Sequence, residues 1–298
     1  MGLRQRWLRP LRSQAVRRAI LGLVVMVAAI AIGQRAFAYQ VWINPESPQL
    51  GDTIAVIVQP EQPGTTTPPT VTLNGEPYPV FALADGRYQS LLPTSPLDEP
   101  GEQLVQITGT ETPRNFAVWL RNRHFPTQSI NFTPGVAGIE GTDYEFDRVD
   151  AFKALVTPER FWQGTLRRPS EGYVSSVYGV RRYYNGEFAE DYYHRGVDYA
   201  APIGTPVVAP AAGRIALVGR VENGFELHGN TVGIDHGQGV LSIFIHLNQI
   251  DVQEGQMVQP GQRVGTIGTT GSSTGPHLHW GLYVNGVAVD PAPWRQDG

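Results

Sequence analysis

Short runs of β-branched and aromatic residues, separated by turn residues, recur through the first half of the chain after residue 39. Runs of this length bounded by Gly, Pro and Asp are typical of strands, and the pair Asn74-Gly75 predicts a hairpin turn. Strands at this spacing predict a small immunoglobulin-like β-sandwich over residues 39–135. The predicted strands are 54–58, 70–73, 78–83, 88–92, 104–108 and 116–120.

The apolar pattern changes between residues 136 and 170. Apolar residues at 144, 149, 152, 155 and 156 follow a partial helical period, which predicts a helix. Thr157-Pro158 fits an N-cap followed by proline at the first helical position, so a second short helix is predicted through Trp162. We interpret residues 136–170 as a helical connector that packs against the next domain.

Strand and turn patterns return in residues 171–298, so the fold class is mostly β. The clearest predicted strands in this part are 206–209, 214–218, 231–235 and 240–247.

The first 38 residues have a different composition from the rest. Arg17-Arg18 precede an apolar run over residues 19–32, which at 14 residues is shorter than the roughly 20 that span a bilayer. Ala36-Phe37-Ala38 then supplies small residues in an A-x-A pattern. We predict a secretory signal peptide over residues 1–38, and hence export to the periplasm or cell envelope. The alternative is an uncleaved anchor that holds the protein at a membrane, facing the periplasm or the exterior.

Composition narrows the classes of function. The chain has 298 residues, a net charge of −4 and no cysteine. The absence of cysteine excludes disulfides, thiolate metal sites and a cysteine nucleophile, so any metal must bind His, Asp or Glu. Without the seven arginines of residues 1–38, 16 basic residues face 27 acidic ones, a net charge of −11. An acidic protein of this kind is not expected to bind nucleic acid.

Six of the seven histidines lie between residues 194 and 279, and a cluster of this kind calls for a chemical reason. The first motif is His194-Arg195-Gly196-Val197-Asp198. In an extended chain its His and Asp would be about 13–14 Å apart, too far to share a metal ion. A bend at Gly196 would bring imidazole and carboxylate together. The spacing alone is weak, and a surface histidine with a turn aspartate explains it equally well.

The second motif is Pro276-His277-Leu278-His279-Trp280. Alternate residues of a strand share a face, so both imidazoles should point the same way while Leu278 enters a core. Two histidines on one strand face can converge on one ion, although the spacing does not say whether both or only one would bind it.

The remaining histidines are less specific. His246 ends the apolar strand 242–247, and strict alternation would place it on the face of Ser242 and Phe244, away from Ile243, Ile245 and Leu247. A satisfied core histidine is the alternative there. For His228 and His236, in turn-like contexts, we predict structural roles in which the ring N–H groups bond nearby loop carbonyls. His124 has no evident chemical partner in the sequence.

Taken in order, these motifs resemble the lysostaphin-like (LytM-type) zinc metallopeptidases, a family of peptidoglycan endopeptidases. The resemblance covers about residues 171–295 and rests on five stretches. These are 194–202, 204–207, 229–237, His246-Leu247 and 273–280.

The resemblance implies an open, largely antiparallel β-sheet domain with a zinc groove, and one Zn²⁺ per chain. His194, Asp198 and His279 match the zinc ligands, and His246 and His277 match the two catalytic histidines. Residues 182–193 form an insertion before the first ligand, which leaves the shape of the groove and hence substrate preference open.

The function expected from this resemblance is hydrolysis of peptide cross-links in peptidoglycan by metal-activated water. The alternative is a catalytically silent envelope protein of the same fold that binds peptidoglycan or activates another hydrolase. The expected partners are peptidoglycan stem peptides, together with an envelope protein bound through the N-terminal domain. Which cross-link is cut, and which histidine is the base, are left open by the sequence.

Overall fold

A computed structural model describes residues 40–60, 67–109, 113–131 and 140–295. The predicted signal peptide over residues 1–38 lies outside the described residues. Among the residues that are described, no helix combines the length and the apolar character that crossing a membrane requires. The described residues from Gln40 onward belong to one compact unit.

The N-terminal part contains two four-stranded antiparallel sheets, and the predicted strands are confirmed with small changes at their ends. The first sheet has the order β1-β2-β6-β5 and the second β4-β3-β7-β8. The predicted strand 78–83 is divided at Pro79, where the chain passes from one sheet to the other. Proline has no N–H for a ladder, so it suits this crossing point. The strands are β1 (Gln40–Asn44), β2 (Thr53–Gln59), β3 (Thr70–Leu73), β4 (Glu76–Tyr78), β5 (Val80–Ala82), β6 (Tyr88–Pro93), β7 (Gly101–Thr108) and β8 (Arg114–Leu120).

The C-terminal part is built on a ten-stranded sheet with the central order β10-β13-β20-β17-β16-β15-β18, to which β14, β19 and β21 are attached. A three-stranded sheet, β12-β11-β9, lies apart from it. The strands are β9 (Thr127–Ile130), β10 (Tyr173–Ser176), β11 (Arg181–Tyr184), β12 (Glu187–Phe188), β13 (Val197–Ala200), β14 (Pro206–Val208), β15 (Gly213–Gly219), β16 (Asn230–Gly237), β17 (Val240–Ile250), β18 (Met257–Val258), β19 (Arg263–Ile267), β20 (His277–Val284) and β21 (Val287–Val289). Two short 3₁₀ turns complete the described elements, Val221–Asn223 and Ala292–Trp294.

The first helix predicted for the connector is confirmed as α1 (Asp143–Lys153). Thr142 is its N-cap, and its hydroxyl accepts a hydrogen bond from the backbone N–H of Glu145 at 3.1 Å. Val149 and Phe152 are buried in the same core as the large sheet. The helix is therefore held by an apolar stripe on the sheet and by a side-chain cap at its start.

The second predicted helix is wrong, because residues 157–163 are irregular. Their backbone groups bond to the β16–β17 turn instead of to one another. The Thr157 carbonyl accepts from Gln238 N at 2.6 Å, and Phe161 N donates to the carbonyl of His236 at 2.9 Å. The Thr157 hydroxyl also donates to Asp235. Bonds to a distant hairpin have replaced the intrahelical bonds that the local pattern favoured.

The N-terminal sheets and the C-terminal sheet are joined by specific polar contacts. Asp290 N donates to the carbonyl of Gly51 at 2.8 Å, and the Asn285 amide donates to the carbonyl of Leu91 at 2.7 Å. Arg123 pairs with Asp290 at 2.7 Å, where the carboxylate is nearly inaccessible. These contacts hold the N-terminal sheets against the segments that follow β20 and β21 in the ten-stranded sheet.

His236 has the structural role that its sequence context predicts. Its Nδ1–H donates to the carbonyl of Ala212 at 2.9 Å, and its Nε2 pairs with the Ser242 hydroxyl at 2.9 Å. Burial lowers the pKa of His236 from its ordinary value near 6.5 to about 4.

This pKa predicts acid sensitivity of the fold. Below about pH 6.5 the unfolded chain binds a proton that the folded chain does not bind until about pH 4, so the free energy of unfolding should fall across this interval. The loss should approach about 3 kcal/mol at pH 4. Urea denaturation of the native protein and of His236→Gln should give stability curves that converge as pH falls from 7 to 4.5. Parallel curves would rule out His236 as a source of the acid sensitivity.

Candidate metal centre

His194 is held in place just before β13 by the loop that precedes it. Its backbone N–H donates to the carbonyl of Val180 at 2.9 Å, and its carbonyl accepts from Gly179 N at 2.9 Å. Its ring Nδ1–H donates to the carbonyl of Val177 at 2.8 Å. Since Nδ1 carries the proton, Nε2 is the nitrogen that faces the site.

Asp198 and His279 lie opposite each other on the neighbouring antiparallel strands β13 and β20. Directly opposed residues of such a pair place their side chains on the same face, so the register brings carboxylate and imidazole together. Gly196 allows the close approach just before β13. A Cβ there would lie 2.3 Å from the carbonyl of Trp280 and 2.8 Å from His279 Nε2, which explains why glycine is needed.

The three side chains predicted as ligands converge. His194 Nε2 lies 3.0 Å from Asp198 Oδ1 and 3.0 Å from His279 Nδ1, and the last two atoms are 2.8 Å apart. Their ligand atoms form the one group of at least three metal-capable atoms found among the described residues. The bend at Gly196 thus brings the side chains of His194 and Asp198 within reach of one metal ion, which an extended chain would not allow.

The donor set fits a zinc ion. In the neutral form that binds metal ions, with its proton on Nδ1, His194 would direct a lone pair from Nε2 at the carboxylate of Asp198, so that two acceptors would face each other at 3.0 Å. A cation between them removes that conflict. Two nitrogens and one carboxylate oxygen supply three ligands to a tetrahedral ion and leave one position open, as in catalytic zinc sites.

The electrostatics of the cluster favour a charged Asp198 carboxylate and a neutral His279 imidazole. Burial alone would raise the pKa of Asp198, but hydrogen bonds and charges from His194 and His279 hold it well below its usual range. Burial lowers the pKa of His279 to about 4, against the opposing effect of Asp198. Ionised Asp and neutral His are the forms that bind metal ions.

His277 and His279 project from the same face of β20, as alternation predicts, and Leu278 is fully buried on the other face. The His277 Nδ1–H donates to the carbonyl of Gly275 at 2.8 Å. Its Nε2 therefore faces the cluster, 4.0 Å from Asp198 Oδ1. This places one imidazole beside the three ligand atoms without joining them.

His246 reaches the same cavity by a route that the sequence does not predict. It has a left-handed backbone, φ +63°, within β17, and the strand pairing shifts around it. The change in chain direction at this left-handed residue brings the His246 side chain to the cavity that Ile243 and Ile245 also line. The prediction that His246 shares a face with Ser242 and Phe244, opposite Ile243 and Ile245, is therefore wrong.

The ring of His246 is held by a single backbone contact. Its Nδ1–H donates to the carbonyl of Thr270 at 2.8 Å, which leaves Nε2 for the cavity. The ring centroids of His246 and His277 are 5.0 Å apart. Burial, reinforced by the neighbouring imidazoles His277 and His279, lowers the pKa of His246 to about 3. A neutral imidazole of this kind can accept a proton.

The five residues line a cavity of about 880 Å³. The insertion before His194 forms one part of its rim, where β11 and β12 make a hairpin and β11 pairs in parallel with β9. Arg182 of this hairpin lies with its guanidinium 3.6 Å from Asp198 Oδ2, the oxygen that does not face the two histidines. This contact has no signature in the sequence, because the two residues belong to separate sheets.

The structural role predicted for His228 needs correction. Its ring Nδ1–H bonds the carboxylate of Glu145 in α1 at 2.7 Å instead of a loop carbonyl, and its ring lines the cavity. The sequence pattern does not mark Glu145 as a functional residue. The Thr142-x-x-Glu145 spacing signals the start of a helix, but it contains no information about a partner more than 80 residues away.

A sheet-lined cavity with two histidines and an aspartate around one point, and two further imidazoles beside it, defines a candidate catalytic metal centre. Peptidase family M23 matches residues 192–291, which contain all five of these side chains. Residues 192–291 therefore form an M23 peptidase domain, and the resemblance found in the motifs is confirmed.

Individual relatives agree with this assignment. The chain is 47% identical over 98 residues to the DD-carboxypeptidase/endopeptidase Mpg of Neisseria meningitidis, an alignment that covers 33% of this chain. It is 42% identical over 97 residues to the peptidoglycan DD-endopeptidase ShyA of Vibrio cholerae, again over 33% of this chain. In both cases the alignment spans 22% of the relative's own length.

A crystal structure of a candidate M23 peptidase from Pseudomonas aeruginosa is similar over a much larger part of the chain. It superimposes with a TM-score of 0.61 at 28% identity and covers 84% of this chain and 95% of that one. The similarity therefore extends beyond the M23 segment.

Proposed function

We propose that this protein is a zinc-dependent endopeptidase that hydrolyses peptide cross-links of bacterial peptidoglycan. The observation that carries the proposal is the convergence of His194, Asp198 and His279 within 3.0 Å of one another, with His246 and His277 beside them. When bound, one zinc ion per chain supplies Lewis-acid polarisation of a carbonyl group and activation of water.

The residues of the site have separate roles in metal binding and proton transfer. His194, Asp198 and His279 hold the ion, and Arg182 lies beside the outer oxygen of Asp198. His246 and His277 each donate Nδ1–H to a backbone carbonyl, so Nε2 of each ring is presented to the cavity. One Nε2 takes a proton from the attacking water and delivers it to the leaving amine, while the other ring, once protonated, stabilises the developing oxyanion.

The substrate class is inferred from the named relatives. ShyA is named as a peptidoglycan DD-endopeptidase, and Mpg is named as a DD-carboxypeptidase/endopeptidase. A silent envelope protein has no support among them, and all five positions of the site are present here. The cavity of about 880 Å³ has room for several residues of a stem peptide.

We extend the proposal to the rest of the chain. Residues 1–38 act as an export signal, so the enzyme works in the periplasm or cell envelope. The two N-terminal sheets are an immunoglobulin-like sandwich that docks the enzyme on an envelope protein or limits access to the groove. This part of the proposal rests on the sequence patterns and on the absence of metal-capable clusters among the described residues of the N-terminal part.

The direct test is digestion of purified sacculi by the zinc-loaded protein, with mass spectrometry of the released fragments. We expect cross-linked muropeptide dimers to be converted to monomers, and the new termini will identify the bond. Intact dimers after prolonged incubation with protein that contains about one zinc per chain would refute the proposal.

A further inference from the structure

Glu145 is a fully inaccessible carboxylate in the first turn of α1. It accepts four hydrogen bonds from one short segment, residues 226–228. Oε2 accepts from the backbone N–H of Glu226 at 3.1 Å and of Leu227 at 3.0 Å. Oε1 accepts from the backbone N–H of His228 at 2.6 Å and from its ring Nδ1–H at 2.7 Å.

These bonds keep Glu145 ionised. Burial alone would raise its pKa, but the hydrogen bonds from His228 and the backbone outweigh burial and lower it. A buried carboxylate whose oxygens are all hydrogen-bonded restrains its partners, because the loss of any one hydrogen bond would leave part of the buried negative charge uncompensated. Both the backbone and the ring of His228 are therefore fixed by α1.

The ring of His228 is directed into the cavity of the metal centre. Because Nδ1 is bound to Glu145, Nε2 points the other way, and no described residue bonds it. The side chain is 19% exposed, and the exposure lies in the cavity that His246 and His277 line.

His228 also lies directly beside His246. The His228 carbonyl accepts a hydrogen bond from His246 N at 2.9 Å, at the residue with the left-handed backbone. Thr270, whose carbonyl holds the His246 ring, bonds Asn230 N through its hydroxyl at 3.0 Å. The segment that Glu145 organises is thus the same segment that supports His246.

We propose that His228 is a substrate-binding residue of this groove and that Glu145 is the positioning residue that orients it. In its neutral form, with Nδ1–H held by the carboxylate, the ring of His228 presents Nε2 to the cavity as a hydrogen-bond acceptor. It therefore takes an amide or amine N–H of the bound peptide, on the side of the scissile bond next to His246. This assignment rests on the proposed peptidase function.

The kinetic test compares zinc-loaded full-length protein with His228→Phe, using soluble muropeptide dimers prepared by muramidase digestion of sacculi. The phenylalanine ring fills the same space but has no acceptor. We expect KM to rise about tenfold with kcat changed by less than about twofold, because a contact made equally in ground and transition states affects binding alone. Zinc content should not change, whereas Tm should fall, because phenylalanine removes one of the four hydrogen bonds to the buried Glu145.

Three further variants make this result specific. His124→Phe, a histidine that does not line the cavity, is the matched control and should leave KM unchanged. His228→Asn keeps a donor near the position of Nδ1 for Glu145 but is too short to place an acceptor at the position of Nε2, so it should still raise KM, which covers the case in which His228→Phe folds poorly. Glu145→Gln should raise KM in the same direction because the ring is no longer held. Unchanged KM in both His228 variants, or a fall in kcat at constant KM, would overturn the proposal.

A binding measurement separates this proposal from the proposed function. In a zinc-loaded His277→Ala background, calorimetry gives the Kd for the same muropeptide dimer without turnover. His228→Phe should weaken binding about tenfold, equivalent to about 1.4 kcal/mol. If the wild-type protein binds the dimer and does not cleave it, the proposed function fails while the role of His228 is still decided by this Kd. Equal Kd values would refute that role.

Discussion

Replacement of His279 by alanine should reduce zinc to near zero per chain and lower kcat/KM on peptidoglycan by at least about a thousandfold. The mutation removes the nitrogen that lies 2.8 Å from Asp198 Oδ1 and 3.0 Å from His194 Nε2. Two remaining ligands hold zinc poorly, and loss of the ion withdraws several kcal/mol of transition-state stabilisation. Metal content by atomic emission and muropeptide release by chromatography measure the two effects.

The comparison needs a control for folding and a control for histidine loss in general. The fold should survive in His279→Ala, because its neighbour Leu278 keeps its place in the core and the strand pairing of β20 is made by the backbone. His124→Ala removes a histidine outside the cavity and should keep both zinc and activity. Native zinc content in His279→Ala, or unchanged digestion by it, would show that this residue is not a ligand.

The parts of the site that follow regular geometry could be predicted from the sequence. His277 and His279 share a face because β20 is a regular strand over these residues. The approach of His194 to Asp198 was suggested by Gly196, but its cause is tertiary. The loop bonds that hold His194 come from Val180 and Gly179, and the need for glycine comes from the Trp280 carbonyl.

Other parts could not be predicted, because distant segments decide them. Strict alternation places His246 on the wrong face. Its own left-handed backbone conformation reverses the order of faces at this point of β17, and the sequence has no signature for that conformation at a histidine. The second connector helix failed for a similar reason. Its local signals at Thr157-Pro158 are outweighed by backbone bonds to Gln238 and His236.

Single replacements of His246 and His277 by alanine should lower kcat by about 10²–10⁴ while zinc stays near one per chain. Both rings face the cavity through Nε2, and neither is among the three converging ligand atoms. This combination of retained metal and lost turnover distinguishes them from His279. Loss of zinc from His246→Ala would instead make His246 a ligand and require a new assignment of the site.

The double variant His246→Ala/His277→Ala tests whether the two rings act together. Their centroids are 5.0 Å apart, close enough to serve one reacting group at the same time. If both rings act in one step, the double variant should have a rate only slightly lower than that of either single variant, as happens for catalytic residues that work as a unit. If they act in separate steps, the two losses should multiply. Because single-turnover rates measure the chemical step alone, the comparison of the four proteins by rapid quench decides between these cases.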